Sequence, residues 1–275
     1  MINITSFFRS RKEFNLLFCI NSGRSGSNYL SSLLGTTKEV FSQHEAEPPM
    51  IGGYLEMVNN YPFSESYQSR RVKVDAIKQA IKSMPKSKKI YCETNHMFIK
   101  TFFDVVMDEF SEKVEIIILR RNLVRVLKSF IELGYFSERN KVWSEWMSSP
   151  NSITAVLPCI GLDSELDQYD LCIAYLLDIE ARAEKFQKDY PSARTYEIKL
   201  EDLNDFSNIN RMFKAMKITP TQETYKIYNK KINNREIRKK EIGISSSLDY
   251  CEKRLKEYIE KANYLGIEIP QKAAT

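Results

Sequence analysis

One short segment sets most of what this 275-residue chain can become. Residues 14–20 are apolar except for Asn15 and predict a buried strand. The run passes into Asn21-Ser22-Gly23-Arg24-Ser25-Gly26-Ser27, a small polar turn. A helix over 28–34 follows, with Tyr29, Leu30, Leu33 and Leu34 free to face a sheet. A strand, a glycine-containing turn and an amphipathic helix in that order are one unit of an α/β fold, with the turn at the strand's carboxyl end. Gly23 and Gly26 let the backbone come close to a ligand. The unpaired N–H groups and dipole at the start of the helix attract an anion, and Arg24 adds a fixed positive charge. The segment fits a phosphate group.

The rest of the chain repeats the alternation. Strands are predicted over 89–94, 114–119 and 193–199, with a short strand-like run at Glu39-Val40-Phe41. Helices are predicted over 73–84, 97–110, 123–133, 167–189 and about 205–216, several of them ending at Pro85, Gly134 or before Pro191. Alternating elements imply a parallel sheet with helices on both faces. Residues 36–70 carry Pro48, Pro49, Gly52, Gly53 and Pro62 and are expected to be otherwise irregular. Residues 135–165, with both tryptophans, Pro150, Pro158 and Gly161, are expected to form a lid or substrate loop. Trp143-x-x-Trp146 could stack on a sugar ring, but aromatic pairs at helical spacing more often pack. We expect a single domain over 1–275, with its core at about 14–216 and a helical C-terminal extension over 217–275.

Composition narrows the class. An apolar fraction of 43% and a charged fraction of 28% are ordinary for a globular chain, and a net charge of +5 gives no reason to expect nucleic-acid binding. Five cysteines without a C-x-x-C and only two histidines, His44 and His96, make a Cys/His zinc site a poor reading. Cys19 and Cys92 fall in predicted strands as small apolar fillers, and the unpatterned odd count fits a reducing compartment. Basic residues Arg9, Arg11 and Lys12 precede the apolar run, but that run flows into the phosphate turn and so must be retained. No stretch approaches the ~20 apolar residues of a spanning helix. A cytoplasmic location is expected, with no membrane segment and no nucleic-acid partner.

The kind of phosphate follows from what the turn lacks. A triphosphate loop reads G-x-x-x-x-G-K-S/T, with the Lys on the outer phosphates and the hydroxyl on magnesium. Here Gly23-x-x-Gly26 has no such ending. A metal-assisted phosphoryl-transfer site would also place an Asp at the end of a neighbouring strand. Strand 114–119 instead runs into Arg120-Arg121-Asn122. A cationic strand end attracts an anion and repels a metal.

Together these segments resemble the sulfotransferase family. Arg24-Ser25-Gly26-Ser27-Asn28 matches its first motif, which binds the 5′-phosphosulfate end of 3′-phosphoadenosine-5′-phosphosulfate (PAPS). Arg121 and Ser129, eight residues apart, match the second motif, which grips the 3′-phosphate. Tyr196-Glu197-Ile198-Lys199-Leu200-Glu201-Asp202-Leu203 is similar to the late strand and turn of these enzymes. The resemblance covers roughly 14–216 and looks closer to the bacterial and carbohydrate branches than to the small-phenol branch. It implies a P-loop nucleotide-hydrolase-like three-layer sandwich. It also implies transfer of a sulfuryl group from PAPS, as co-substrate and without a metal, to a hydroxyl of a carbohydrate, glycolipid or similar small-molecule or glycan acceptor. The alternatives are a metal-dependent phosphotransferase of related fold and a non-catalytic nucleotide-binding protein.

Sulfuryl transfer needs cations around the departing phosphate and a base for the acceptor proton. Arg24 is the expected cation, and Arg24, Ser25, Gly26, Ser27, Asn28, Arg121 and Ser129 are the expected nucleotide contacts. Ser25 to Asn28 could instead be a plain helix cap. Arg120 rivals Arg121, because neighbours on a strand point to opposite faces. For the base, the resemblance favours Glu45 in Ser42-Gln43-His44-Glu45-Ala46-Glu47-Pro48. His44 has the pKa best placed near neutrality. Glu47 comes third, and His96 could reach the site in acceptor binding. Lys230-Lys231 and 235–240 form a basic run, expected to be a solvated charged loop.

Overall fold

The computed structural model describes residues 15–228, 230 and 235–273. Five parallel strands form one sheet: β1 (Asn15–Ile20), β2 (Val40–Gln43), β3 (Ile90–Glu93), β4 (Val114–Arg120) and β5 (Arg194–Lys199). Their spatial order is β2-β3-β1-β4-β5. Every predicted strand is present, and Phe14 lies outside the described residues. The strand carrying the phosphate turn is central. Its Leu16 lies between Tyr91 of β3 and Val114 of β4.

The helices are α1 (Ser27–Gly35), α2 (Gly53–Asn60), α3 (Phe63–Arg70), α4 (Val72–Ser83), α5 (Phe103–Phe110), α6 (Leu123–Glu132), α7 (Gln168–Asp189), α8 (Phe206–Ala215), α9 (Gln222–Ile227), α10 (Glu236–Ile242) and α11 (Leu248–Tyr264). Strand alternation divides the core. Leu16, Phe18 and Ile20 of β1 face one way, with Ile116 and Ile118, against residues of α4 to α7 and α11. Leu17 and Cys19 face the other way, with Cys92, Ile117 and Leu119, against α1 and α8. The result is the three-layer α/β sandwich expected, and Cys19 and Cys92 are fully buried fillers.

Leu30, Leu33 and Leu34 of α1 are fully buried. Each such side chain contributes about 1.5–3 kcal/mol relative to exposure. Packing along its length therefore holds α1 in place and leaves its first turn open for other work.

Three expectations need correction. Residues 36–70 are not irregular beyond a short strand, because α2 and α3 occupy most of 53–70. Gly52 and Pro62, which argued for loop, stand immediately before these two helices, a position both residues suit. The helix expected over 97–110 opens with a wide π turn at Phe98–Phe102 before α5 begins. Residues 236–240 of the basic run belong to a helix, α10, and not to a loop; Lys230 is not helical, and Lys231 lies outside the described residues.

Beyond residue 216 the described residues carry α9, α10 and α11. Arg254 of α11 bonds Asp167, the N-cap of α7, at 2.8 Å and Asp170 at 2.9 Å. Residues 135–165 keep only short turns of 3₁₀ helix, at Lys141–Glu145 and Asp163–Glu165. They are nevertheless anchored. The Val156 and Leu157 amides donate to Asp178 Oδ1 at 2.7 and 3.0 Å. Trp143 packs on Phe136 at 4.5 Å between ring centres, which is the packing role expected of it. Among the described residues no helix is long and apolar enough to cross a membrane.

Candidate active site

The turn after β1 is held by its own buried asparagine. Asn21 Oδ1 accepts from the Gly23 amide at 3.0 Å and from the Ser25 hydroxyl at 3.4 Å. Gly23, Arg24 and Gly26 all have positive φ, at 80°, 53° and 93°. Gly26 is required twice over: a Cβ there would be strained by φ and would meet Leu200 Cδ1 at 2.5 Å. Leu200 opens the turn after β5, so the last strand presses on the phosphate turn. No side chain caps the start of α1, whereas Asn122 caps α6 by accepting from the Arg125 amide at 3.1 Å. The plain-cap reading of Ser25 to Asn28 is therefore not what forms. The Ser25 hydroxyl is turned inward to Asn21, so only its backbone remains to contact a ligand.

A cleft of about 820 Å³ opens at the strand ends. Arg24, Gly26, Ser27, Asn28, Arg121 and Ser129 line it, so the two sequence motifs meet in one space. They also touch. Arg121 Nη1 donates to the Arg24 carbonyl at 2.9 Å, and Arg24 Nε points at Ser129 Oγ at 3.4 Å. Arg120 is directed elsewhere, to Glu180 at 2.7 Å and Glu197 at 3.0 Å. Burial pushes the Arg24 guanidinium down from its ordinary pKa, with Arg235 and Arg121 acting in the same direction against Tyr135 and Glu236. Burial likewise lowers Arg121, with Arg125 adding to it and Glu201 opposing. Guanidinium groups stay charged, so crowded, half-desolvated cations are a standing attraction for an anion.

Sequence reading missed several cations of the cleft. Arg125 and Lys128 line it from α6, and Lys239 from α10, where it pairs with Glu132 at 3.0 Å. Arg125 and Lys128 stand three apart within α6, which puts them on one face. That spacing was the available signal for both.

The proposed bases form a second group on the other side of the turn. Glu45 Oε1 lies 3.6 Å from His44 Nε2 and 3.6 Å from His96 Nε2. The His96 ring lies against Gly23, where a Cβ would meet Nδ1 at 3.8 Å. Thr94 at the end of β3 donates its hydroxyl to the Ser27 carbonyl at 3.0 Å. His44 Nδ1 is 2.7 Å from the Thr94 carbonyl and 3.0 Å from Thr94 Oγ1. Both are acceptors toward it, so Nδ1 carries the proton and a neutral His44 keeps its lone pair on Nε2, toward Glu45. Burial holds His96 well below the usual histidine value, with Lys100 and His44 adding to the effect. Glu47 makes no contact with either histidine among the bonds the structure shows.

The segment bearing Glu45 is clamped from beneath. Lys73 of α4 and Glu93 of β3 form a fully buried ion pair at 2.7 Å. Lys73 Nζ also donates to the Ala46 and Pro48 carbonyls at 2.7 and 3.0 Å. Tyr91 and Asn95 complete the Glu93 carboxylate at 2.8 and 3.0 Å. Removing one member of such a pair strands the other. Lys73→Met is expected to destabilise the fold by about 3–5 kcal/mol, and adding Glu93→Gln should recover much of that. Chemical denaturation of the single and double variants measures both numbers.

No protein-family model matches the chain, and no curated protein sequence matches it. Among solved structures, the chain is similar to the sulfotransferase domain from the curacin biosynthetic pathway. The identity is 14% and the TM-score 0.47, over 95% of this chain and 100% of that one. It is also similar to the sulfotransferase STF9 from Mycobacterium avium, with 11% identity and a TM-score of 0.45, over 95% of this chain and 79% of that one.

Proposed function

We propose that the chain is a sulfotransferase that moves a sulfuryl group from PAPS to an acceptor hydroxyl. One observation carries the reading. Arg24 with the uncapped start of α1, and Arg121 with Ser129, converge on a single cleft, and an acid–base trio lies on the far side of the same turn. A nucleotide with an anionic group at each end of its ribose fits two cationic grips better than a metal-bound triphosphate does. In this reading the start of α1 and Arg24 take the phosphosulfate end, and Arg121 and Ser129 take the 3′-phosphate.

The chemistry then divides among the residues. The acceptor oxygen attacks sulfur, the bond from sulfur to the 5′-phosphate oxygen breaks, and 3′,5′-adenosine bisphosphate leaves. Arg24 stabilises the charge that grows on the departing oxygen. Glu45 takes the hydroxyl proton, and the free Nε2 of His44 can accept it onward. A carbohydrate, glycolipid or similar metabolite is the acceptor class we favour, with residues 46–70 and 135–165 shaping its pocket. Five free cysteines suit a reducing, cytoplasmic setting.

Calorimetric titration tests the reading directly. The protein should bind 3′,5′-adenosine bisphosphate in the presence of a magnesium chelator. Absence of binding would overturn the reading, and binding only of ATP with magnesium would favour the phosphotransferase alternative. Binding with no transfer to any acceptor in a radiolabelled-donor screen would favour a non-catalytic nucleotide-binding protein.

A further inference from the structure

Lys100, in the wide turn at Phe98–Phe102, is 1% exposed and bonds no carboxylate among the described residues. Its ammonium is fully occupied all the same. Nζ contacts His96 Nδ1 at 3.0 Å, Tyr175 Oη at 3.0 Å and the Trp146 carbonyl. Tyr175 directs its own proton to the Ser22 carbonyl at 3.1 Å, which leaves its oxygen to accept from Lys100. A carbonyl can only accept. As an ammonium, Lys100 brings three N–H bonds to three acceptors, with His96 Nδ1 the third.

We propose that Lys100 is a positioning residue that fixes the tautomer of His96. With Nδ1 accepting from Lys100, the single proton of a neutral imidazole sits on Nε2, the atom facing Glu45 at 3.6 Å. His96 is then an N–H donor and not a base. Glu45 is left facing one N–H, from His96, and one lone pair, from His44. That asymmetry gives direction to proton movement: off the acceptor hydroxyl, onto Glu45, and toward His44. The Tyr175–Ser22 bond attaches the same network to the phosphate turn.

The groups around the pair act as follows. Burial lowers the pKa of Lys100 well below the usual lysine value; Arg182 of α7 adds to the effect and Glu45 opposes it. His44 and Arg235 act with Lys100 to keep His96 uncharged. If Lys100 loses its proton as pH rises, its own lone pair accepts from Nδ1 and the His96 proton moves there. The arrangement is therefore pH-dependent, with protonated Lys100 on the low side.

This role rests on Glu45 being the base, but its test needs neither donor nor acceptor. In uniformly ¹⁵N-labelled protein, two-bond ¹H–¹⁵N correlation separates the two tautomers. At pH 7 the wild type should show His96 protonated at Nε2 and His44 protonated at Nδ1. Lys100→Met should move His96 away from the Nε2–H form and leave the His44 pattern and the 3′,5′-adenosine bisphosphate Kd unchanged within about twofold. Turnover should fall at least about 10-fold, through kcat and not through the nucleotide Kd. A wild-type His96 protonated at Nδ1, or a pattern unchanged in a folded Lys100→Met variant, overturns the proposal. Should that variant not fold, the wild type titrated from pH 6 to 10 decides. Passage of His96 from Nε2–H to Nδ1–H supports the role, and an unchanged spectrum sinks it. A correct tautomer without sulfuryl transfer to any acceptor would count against the sulfotransferase reading while leaving the Lys100–His96 contact intact.

Discussion

Glu45→Gln is expected to lower kcat by about 10²–10⁴ while 3′,5′-adenosine bisphosphate binds as before. The substitution keeps the shape of the side chain and removes its ability to take a proton. Glu45 lies outside the cationic cleft, among the two histidines, so the nucleotide grips should not register the change. Steady-state rates and a calorimetric Kd on the same preparation are the measurement. If the rate survives, the base is elsewhere. His44 is then the one to replace next, because its Nε2 holds the available lone pair.

Arg24→Met should act on both quantities. The side chain lies in the cleft beside Ser129, where it can meet the nucleotide before reaction and the growing negative charge during it. Loss of one stabilising donor at a developing oxyanion is worth about 10²–10³ in kcat, and loss of a charge-assisted contact a further ~1.5–3 kcal/mol in nucleotide affinity. Arg24→Lys keeps the charge but loses the planar fork, and should recover affinity more fully than rate. A variant weaker in binding but unchanged in kcat would confine Arg24 to a binding role.

The fold was readable because the inner strands β1 and β4 are near-continuous apolar runs and the helix stops are Gly and Pro. Residues 36–70 misled for the same reason. Gly52 and Pro62 are breakers inside a helix but good neighbours at its start, and a list of breakers does not distinguish the two. The cationic lining of the cleft was readable where a motif is contiguous, as at Arg24 to Asn28, or has a fixed spacing, as at Arg121 and Ser129. The choice of Arg121 over Arg120 rested on that spacing, and the ion pairs of Arg120 agree with it. Lys73, Lys100 and Tyr175 carried no such signal. A lysine in an amphipathic helix looks solvated until tertiary packing closes over it, and a buried cation's partners are carbonyls and rings far away in sequence. The basic run at 235–240 looked like a solvated loop because its carboxylate partner, Glu132, lies about a hundred positions earlier.

The central place of β1 bears on how the molecule must assemble. Leu16 cannot complete its pairing until Tyr91 and Val114 have both arrived. The turn it carries is not pressed into shape until Leu200 follows, and Lys239 closes the cleft later still. Contacts so far apart along the chain form slowly. An emerging polypeptide therefore displays its most distinctive segment first and makes it competent last. Whatever anion the finished turn holds can act only as a late clasp on an already folded sheet.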